Sequence, residues 1–172
     1  SAPGEPVFAF VHLESAGPPL HAETTEASAL RRTYAGRLAA LRPLLTRLAQ
    51  ARRDRPQLLV LLGASGAEQG EHPENPERLH DSRLHVPFLM GLRGGTGLPA
   101  GAQAALVQSA DLAPTILDFV DVAPRAGSDG ASLKPLVHGW TDKPPHESVV
   151  LVGPGEVALR SKAWKLQVPV EA

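Results

Sequence analysis

The sequence contains no cysteine and a single methionine, Met90. It can therefore form no disulfide, offers no thiolate nucleophile and cannot bind zinc through sulfur. It also lacks any apolar run near the roughly 20 residues that a membrane-spanning helix needs. Residues 1–5 do not resemble a signal peptide. These absences predict a soluble chain without a membrane span, and the start at Ser1 rather than Met indicates a chain that was processed or taken from a longer one.

The composition is that of an ordinary globular protein. Hydrophobic residues make up 42% of the chain and charged residues 20%, with a formal net charge of -1, so the overall charge gives no indication of a nucleic-acid partner. A length of 172 residues is sufficient to bury an apolar core. We expect one domain over residues 1–172.

Hydrophobic patterning predicts alternating strands and helices in the first part of the chain. Residues 7–13 read as a buried strand. Leucines at spacings of three and four predict a helix over residues 26–52, with a kink or break at Pro43. This helix is rich in arginine, which we interpret as a solvated face in the absence of aromatic stacking residues. Residues 57–62 are uninterruptedly apolar, which predicts a central strand buried on both faces of its sheet.

The second part begins with a long polar stretch over residues 63–83, of the kind that is often functional. Strands are predicted after it, and Asp111 is expected to cap the N-terminus of a helix that contains Pro114 in its first turn. The predicted strands, second helix and C-terminal antiparallel meander follow in this order: strands 86–90 and 104–107, helix 132–137, and meander strands 148–152, 157–160 and 163–168.

Two features in the polar stretch suggest chemistry. Ser65 follows an apolar strand between glycines, as in a nucleophile elbow, with Asp118 or Asp129 and then His146 in a suitable order along the chain. The residues after Ser65 favour a helix poorly, which argues against an elbow. The stretch also holds the densest group of imidazole and carboxylate side chains: Glu68, Glu71, His72, His80, Asp81 and His85. Such ligands suit zinc or manganese, but their spacing matches no compact site, and we favour solvated loop residues.

Several stretches, in the same order, resemble the second half of a sulfatase, a member of the alkaline-phosphatase superfamily. They are residues 8–13, 70–72 and 79–89, then 111–119 (DLAPTILDF), and finally 129–136 (DGASLKPL). The similarity covers roughly residues 6–166. It implies an α/β fold with an alkaline-phosphatase-like sheet flanked by helices, present here as a partial domain, followed by the small meander. It also implies that the segments at Asp111 and Asp129 are scaffold.

The positions where the family carries its charged groups are degenerate in this chain. Gly17 stands where the family has a histidine that contacts sulfate. Ala64 and Ser65 stand where it has two metal ligands, and the family's lysine falls near Pro76. The nucleophile and the first metal ligands belong to the family's N-terminal half, which this sequence does not contain. The resemblance therefore implies no catalytic residue, no bound metal and no cofactor, with Glu68, Glu71, His72 and His80 as a residual polar cluster.

Three functions follow as expectations. The first is a non-catalytic sulfatase-like domain that serves as a structural or interaction module. The second is the C-terminal piece of an active sulfuric or phosphoric ester hydrolase that an N-terminal piece completes. The third is a serine hydrolase that uses Ser65. Because the family's N-terminal strands are absent, we expect exposed edges and apolar faces, and hence a homo-oligomer or an N-terminal partner segment.

Overall fold

The computed structural model describes residues 7–12, 27–50, 55–66, 72, 78–94 and 97–170. This part of the chain contains four α-helices and two sheets, both of them antiparallel. The mixed α/β class expected from the sequence is therefore confirmed.

The first element is helix α1, Ala27–Gln50, which matches the predicted helix to within two residues at each end. Of the kink or break expected at Pro43, the break is wrong, because α1 continues through this residue as one helix. Proline removes a single backbone donor, and the leucine, alanine and arginine residues around it are strong helix formers.

None of the helices in the described ranges is long and apolar enough to cross a bilayer.

Strands β1, Gln57–Leu62, and β2, Phe88–Arg93, pair antiparallel from Gln57↔Arg93 to Leu62↔Phe88. The short helix α2, Asp81–Leu84, lies in the connection between them. The prediction that β1 is a central strand buried on both faces is wrong for the described residues, because its only described neighbour is β2 and its Leu59 and Leu61 are exposed. An apolar run determines that a segment extends, whereas the rest of the fold determines how many strands lie beside it.

Two further strand predictions are wrong. Residues 7–12 have no regular secondary structure, and Phe8 and Phe10 are exposed; residue 13 lies outside the described residues. Residues 104–107 are also irregular. Aromatic and β-branched residues form a strand only where another strand supplies hydrogen bonds and a packing surface.

The region after residue 97 contains most of the buried residues. A 3-10 turn, Ser109–Asp111, leads directly into helix α3, Leu112–Phe119, and helix α4, Lys134–Val137, packs against α3. Pro114 lies in the first turn of α3, as predicted. Asp111 does not cap α3 through its side chain. Its carboxylate instead accepts from the backbone N–H of Gln108, at the start of the 3-10 turn.

The predicted C-terminal meander is confirmed, with bounds that shift by a few residues. It consists of β3, Ser148–Gly153, β4, Glu156–Ser161, and β5, Lys165–Pro169, in that order across the sheet. Gly155, in the β3–β4 turn, has a φ of 69°, which favours glycine. The pairing alternates side chains between two faces. One face carries Glu156, Arg160 and Lys165, all of which contact residues 78–81.

Candidate functional site

The loop after β1 is fixed by its backbone against the segment that precedes β2. The N–H of Gly63 donates to the carbonyl of Pro87 at 2.8 Å, and the N–H of Gly66 donates to the carbonyl of Arg83 at 2.8 Å. These two bonds continue the contact between the strands beyond the end of β1. Ala64 and Ser65 lie between the two anchor points, and both are exposed.

Gly66 allows this close approach because it has no side chain. A Cβ atom built on Gly66 would lie 1.9 Å from the carbonyl oxygen of Ser82, far inside van der Waals contact. The neighbouring atoms belong to backbone, which cannot move aside as a flexible side chain does. Glycine is therefore required here for close approach rather than for an unusual φ.

Of the polar cluster named from the sequence, the structure brings His72 and His80 together. Their imidazole rings stack with centroids 3.8 Å apart and planes 15° from parallel. Glu68 and Glu71 lie outside the described residues, as do Gly17 and Pro76. Within the described ranges, no three histidine or carboxylate groups gather closely enough to hold a metal ion.

The meander binds the backbone of Leu79, the residue next to His80. The N–H of Leu79 donates to the carboxylate of Glu156, and its carbonyl accepts from Lys165 Nζ at 2.8 Å and from Gln167 Nε2 at 3.2 Å. Both backbone polar groups of one buried residue are thus satisfied by side chains distant in sequence.

Ion pairs strengthen the same junction. Arg78 Nε lies 2.9 Å from Glu156 Oε2, and Asp81 bonds Lys165 Nζ at 2.9 Å and Arg160 Nη2 at 3.0 Å. Burial alone would raise the pKa of Glu156, but the hydrogen bonds from Leu79 and Arg78 together hold it below its ordinary value. The hydrogen bond from Lys165 lowers the pKa of Asp81. Both carboxylates are therefore stabilised in their charged form.

A second polar centre is formed by Asp111, which has no exposed surface. Its Oδ2 accepts from Gln108 N at 2.9 Å, and its Oδ1 accepts from Ala131 N at 2.8 Å and lies 2.7 Å from His146 Nε2. One buried carboxylate thus joins three segments of the chain: the turn before α3, the stretch before α4 and the stretch before β3.

Thr115 completes this centre one helical turn later. Its hydroxyl donates to the carbonyl of Asp111 at 2.6 Å and accepts from the N–H of Leu133 at 2.9 Å. Thr115 and Leu133 are both almost fully buried. The two sequence stretches with the strongest resemblance to sulfatases, 111–119 and 129–136, are therefore joined to each other through Asp111 and Thr115.

The carboxylates and the histidine considered as partners for Ser65 are engaged elsewhere or exposed. Asp118 accepts from Ser132 Oγ at 2.5 Å and from Lys134 Nζ at 3.2 Å, and these contacts lower the pKa of Asp118. His146 bonds Asp111, while Asp129 is exposed. The described residues 63–66 form a bend and not the start of a helix.

Sequence reasoning missed the two residues that organise these centres. Glu156 was not singled out, and Asp111 was assigned to the helix cap. The pairing of Asp111 with His146 spans 35 residues and follows no sequence periodicity. No protein-family model matches the chain, and no curated protein matches it either.

Proposed function

We propose that this chain is a sulfatase-like domain that has no hydrolytic activity and acts as a structural or interaction module. The observation that carries the proposal is the loop after β1. Family enzymes place two metal ligands in the corresponding loop, whereas this chain has the methyl group of Ala64 and the hydroxymethyl group of Ser65 on an exposed bend. A methyl group cannot coordinate a cation, and hydrolysis of a sulfate or phosphate ester by this family depends on a metal that polarises the ester.

The contacts of the second polar centre support the scaffold part of the proposal. Asp111 and Thr115 use their polar atoms on backbone N–H and C=O groups and on His146. A carboxylate whose oxygens are bonded in this way stabilises the packing of the segments that it joins. The proposal has three parts: the chain is related to sulfatases, its fold belongs to an alkaline-phosphatase-like sheet, and it has lost catalysis.

The interaction part rests on the small size of the sheet that contains β1. A two-stranded sheet is marginal in water by itself, and Leu59, Leu61 and Leu89 share one exposed face of this one. Strands or a packing surface from another polypeptide would cover that face. We propose an N-terminal sulfatase-like segment or a second copy of the chain as the partner.

Calorimetric titration of the full chain with Ca²⁺, Mg²⁺, Mn²⁺ and Zn²⁺ tests the proposal, together with assays on nitrophenyl sulfate and nitrophenyl phosphate. We expect no stoichiometric metal binding and no turnover. If any of these ions binds tightly at one site, the His72→Ala/His80→Ala variant shows whether the histidine pair holds it. Tight binding or turnover by the unmodified chain overturns the proposal.

The two alternatives make different predictions. A C-terminal piece of an active hydrolase would gain turnover when an N-terminal sulfatase-like piece is added, whereas the inactive module would bind that piece without turnover. A serine hydrolase would react with a fluorophosphonate probe, and Ser65→Ala would abolish the labelling. We expect no labelling of either the unmodified chain or this variant.

A further inference from the structure

Helix α1 has a charge distribution unlike that of the whole chain. Its 24 residues include five arginines, Arg31, Arg32, Arg37, Arg42 and Arg47, and no aspartate or glutamate. The complete chain has a formal net charge of -1. Positive charge is therefore concentrated on one helix, which creates a local attraction for anions that the net charge conceals.

The C-terminal half of α1 is also amphipathic. Leu38, Leu41, Leu45 and Leu48 form a leucine stripe at the three- and four-residue spacing of one helical face. Leu41 is buried, but Leu38 is 56% exposed, Leu48 is 42% exposed and Leu45 is 37% exposed. No described helix or strand makes extended contact with α1. Most of the leucine stripe thus faces solvent.

The arginines are placed on both sides of the leucine stripe. At about 100° per residue, Arg42 falls about 40° beyond one margin of the stripe and Arg37 about 20° beyond the other, while Arg47 lies with Pro43 on the opposite side of the helix. Arginine side chains at the margins of an apolar stripe can extend towards a charged surface while their methylene groups remain near the leucines.

A helix with this sequence gains stability from a surface that covers its apolar face. Pro43 and Gly36 both lie inside α1 and disfavour the helix relative to alanine. Isolated helices are marginal in water even without such residues, and most helical stability in proteins comes from packing the apolar face. A surface that buries the leucine stripe would therefore stabilise α1.

We propose that α1 binds along an anionic lipid surface, with the leucine stripe in the boundary between headgroups and acyl chains and the arginines on lipid phosphates. A basic amphipathic helix with leucine on its apolar face has the properties of an interfacial helix, which lies on a bilayer without crossing it. This inference does not depend on the resemblance to sulfatases.

The charge distribution of α1 favours an anionic bilayer over two other binding partners, which are a second copy of α1 and nucleic acid. In a helix pair formed by two copies of α1, arginines would border the stripe on both sides, and α1 supplies no carboxylate to pair with them. Like charges facing each other destabilise such a contact. Nucleic acid would satisfy the arginines but would leave the leucines in water. An anionic bilayer covers both kinds of side chain.

Co-sedimentation of the full chain with vesicles tests the proposal. Vesicles of phosphatidylcholine mixed with phosphatidylglycerol are compared with vesicles of phosphatidylcholine alone, at low and high salt. We expect binding to the anionic vesicles only, weakened by salt. Arg37→Glu/Arg42→Glu, at the two margins of the stripe, should reduce the partition coefficient by about tenfold or more, because each basic residue contributes about a fivefold gain near an anionic surface. Leu38→Asp/Leu48→Asp should abolish binding.

The matched control is Lys143→Glu/Lys162→Glu, which changes the net charge equally at exposed positions outside α1. It should bind nearly as well as the unmodified chain. Far-UV circular dichroism and the unfolding midpoint verify that each variant folds. The proposal is overturned by equal binding to both vesicle types, by no binding to either, or by equal loss in the control. Retention of duplex DNA instead of vesicles, or a dimer that the leucine variant dissociates, also overturns it.

Discussion

His146 Nε2 lies 2.7 Å from Oδ1 of Asp111, a carboxylate with no exposed surface. The pair links the stretch before β3 to the turn before α3 across 35 residues. Two backbone N–H groups, from Gln108 and Ala131, bond the same carboxylate. Removing the acceptor would leave all three donors buried or partly buried without a partner, which costs more than the bonds themselves contribute.

We therefore expect Asp111→Ala to lower the free energy of unfolding by about 3–5 kcal/mol, because it leaves several donors unpaired and each unpaired buried donor costs about 1–3 kcal/mol. Asp111→Asn should cost less, because one oxygen remains as an acceptor. Urea denaturation at pH 7 measures both. The control is Asp129→Asn at an exposed position, which should remain within about 0.5 kcal/mol of the unmodified chain. A similar value for Asp111→Ala and the control would contradict this account of the centre.

Thr115→Val tests the link between α3 and α4 with little change in shape. Valine replaces the hydroxyl, so the buried N–H of Leu133 loses its acceptor. The expected loss is about 1–3 kcal/mol, the desolvation penalty of an unpaired donor. Thr141→Val is the matched control, since its hydroxyl accepts from an exposed N–H of Lys143. Equal unfolding midpoints for the two variants would show that the Thr115 hydroxyl does not hold α4.

Glu156 should make stability sensitive to acid. Its pKa in the folded chain is lowered from the ordinary value of 4.5, because the bonds from Leu79 and Arg78 outweigh the opposing effect of burial. A carboxyl group with a lowered pKa binds its proton more tightly in the unfolded chain. Its contribution is therefore complete above the ordinary value and is lost as the pH falls through the folded value.

The Glu156→Gln variant should accordingly be less stable than the unmodified chain by about 1–3 kcal/mol at pH 7. The difference should shrink as the pH falls below 4.5. Urea midpoints measured from pH 7 down to pH 3 follow this convergence. Glu147→Gln, at an exposed position, should give a curve parallel to that of the unmodified chain. A constant difference between Glu156→Gln and the unmodified chain would argue against a charged Glu156.

Gly66→Ala should disrupt the loop that carries Ala64 and Ser65. The added Cβ would clash with backbone at Ser82, so the loop or α2 must move. Overpacking of this kind costs about 1–3 kcal/mol, and the amide of Gly66 should lose protection in hydrogen exchange. Gly91→Ala, in the neighbouring strand β2, is the control, because a Cβ at this position meets nothing within 4 Å. Unchanged protection of residue 66 in the Gly66→Ala variant would contradict the close packing.

The sequence by itself determined those elements whose signals are local. The leucine spacing defined α1, and the turn glycine with flanking β-branched residues defined the meander. Pro114 was placed correctly in the first turn of α3. Each of these depends on side-chain periodicity or on backbone preference within a few residues, which a linear pattern contains.

The tertiary structure decided which groups meet. Residues 57–62 form the strand that the sequence predicts. Only the structure, with β2 as the described neighbour of this strand, shows that the sheet has two strands and exposed leucines. Glu156 and Leu79 are 77 residues apart, and no periodicity connects them. Such pairings depend on the packing of distant segments and on the need to satisfy buried polar groups. The sequence was sufficient to locate the loop that contains Ala64 and Ser65. Only the tertiary structure showed that backbone bonds from the glycines on either side, Gly63 and Gly66, hold this loop against the segment before β2.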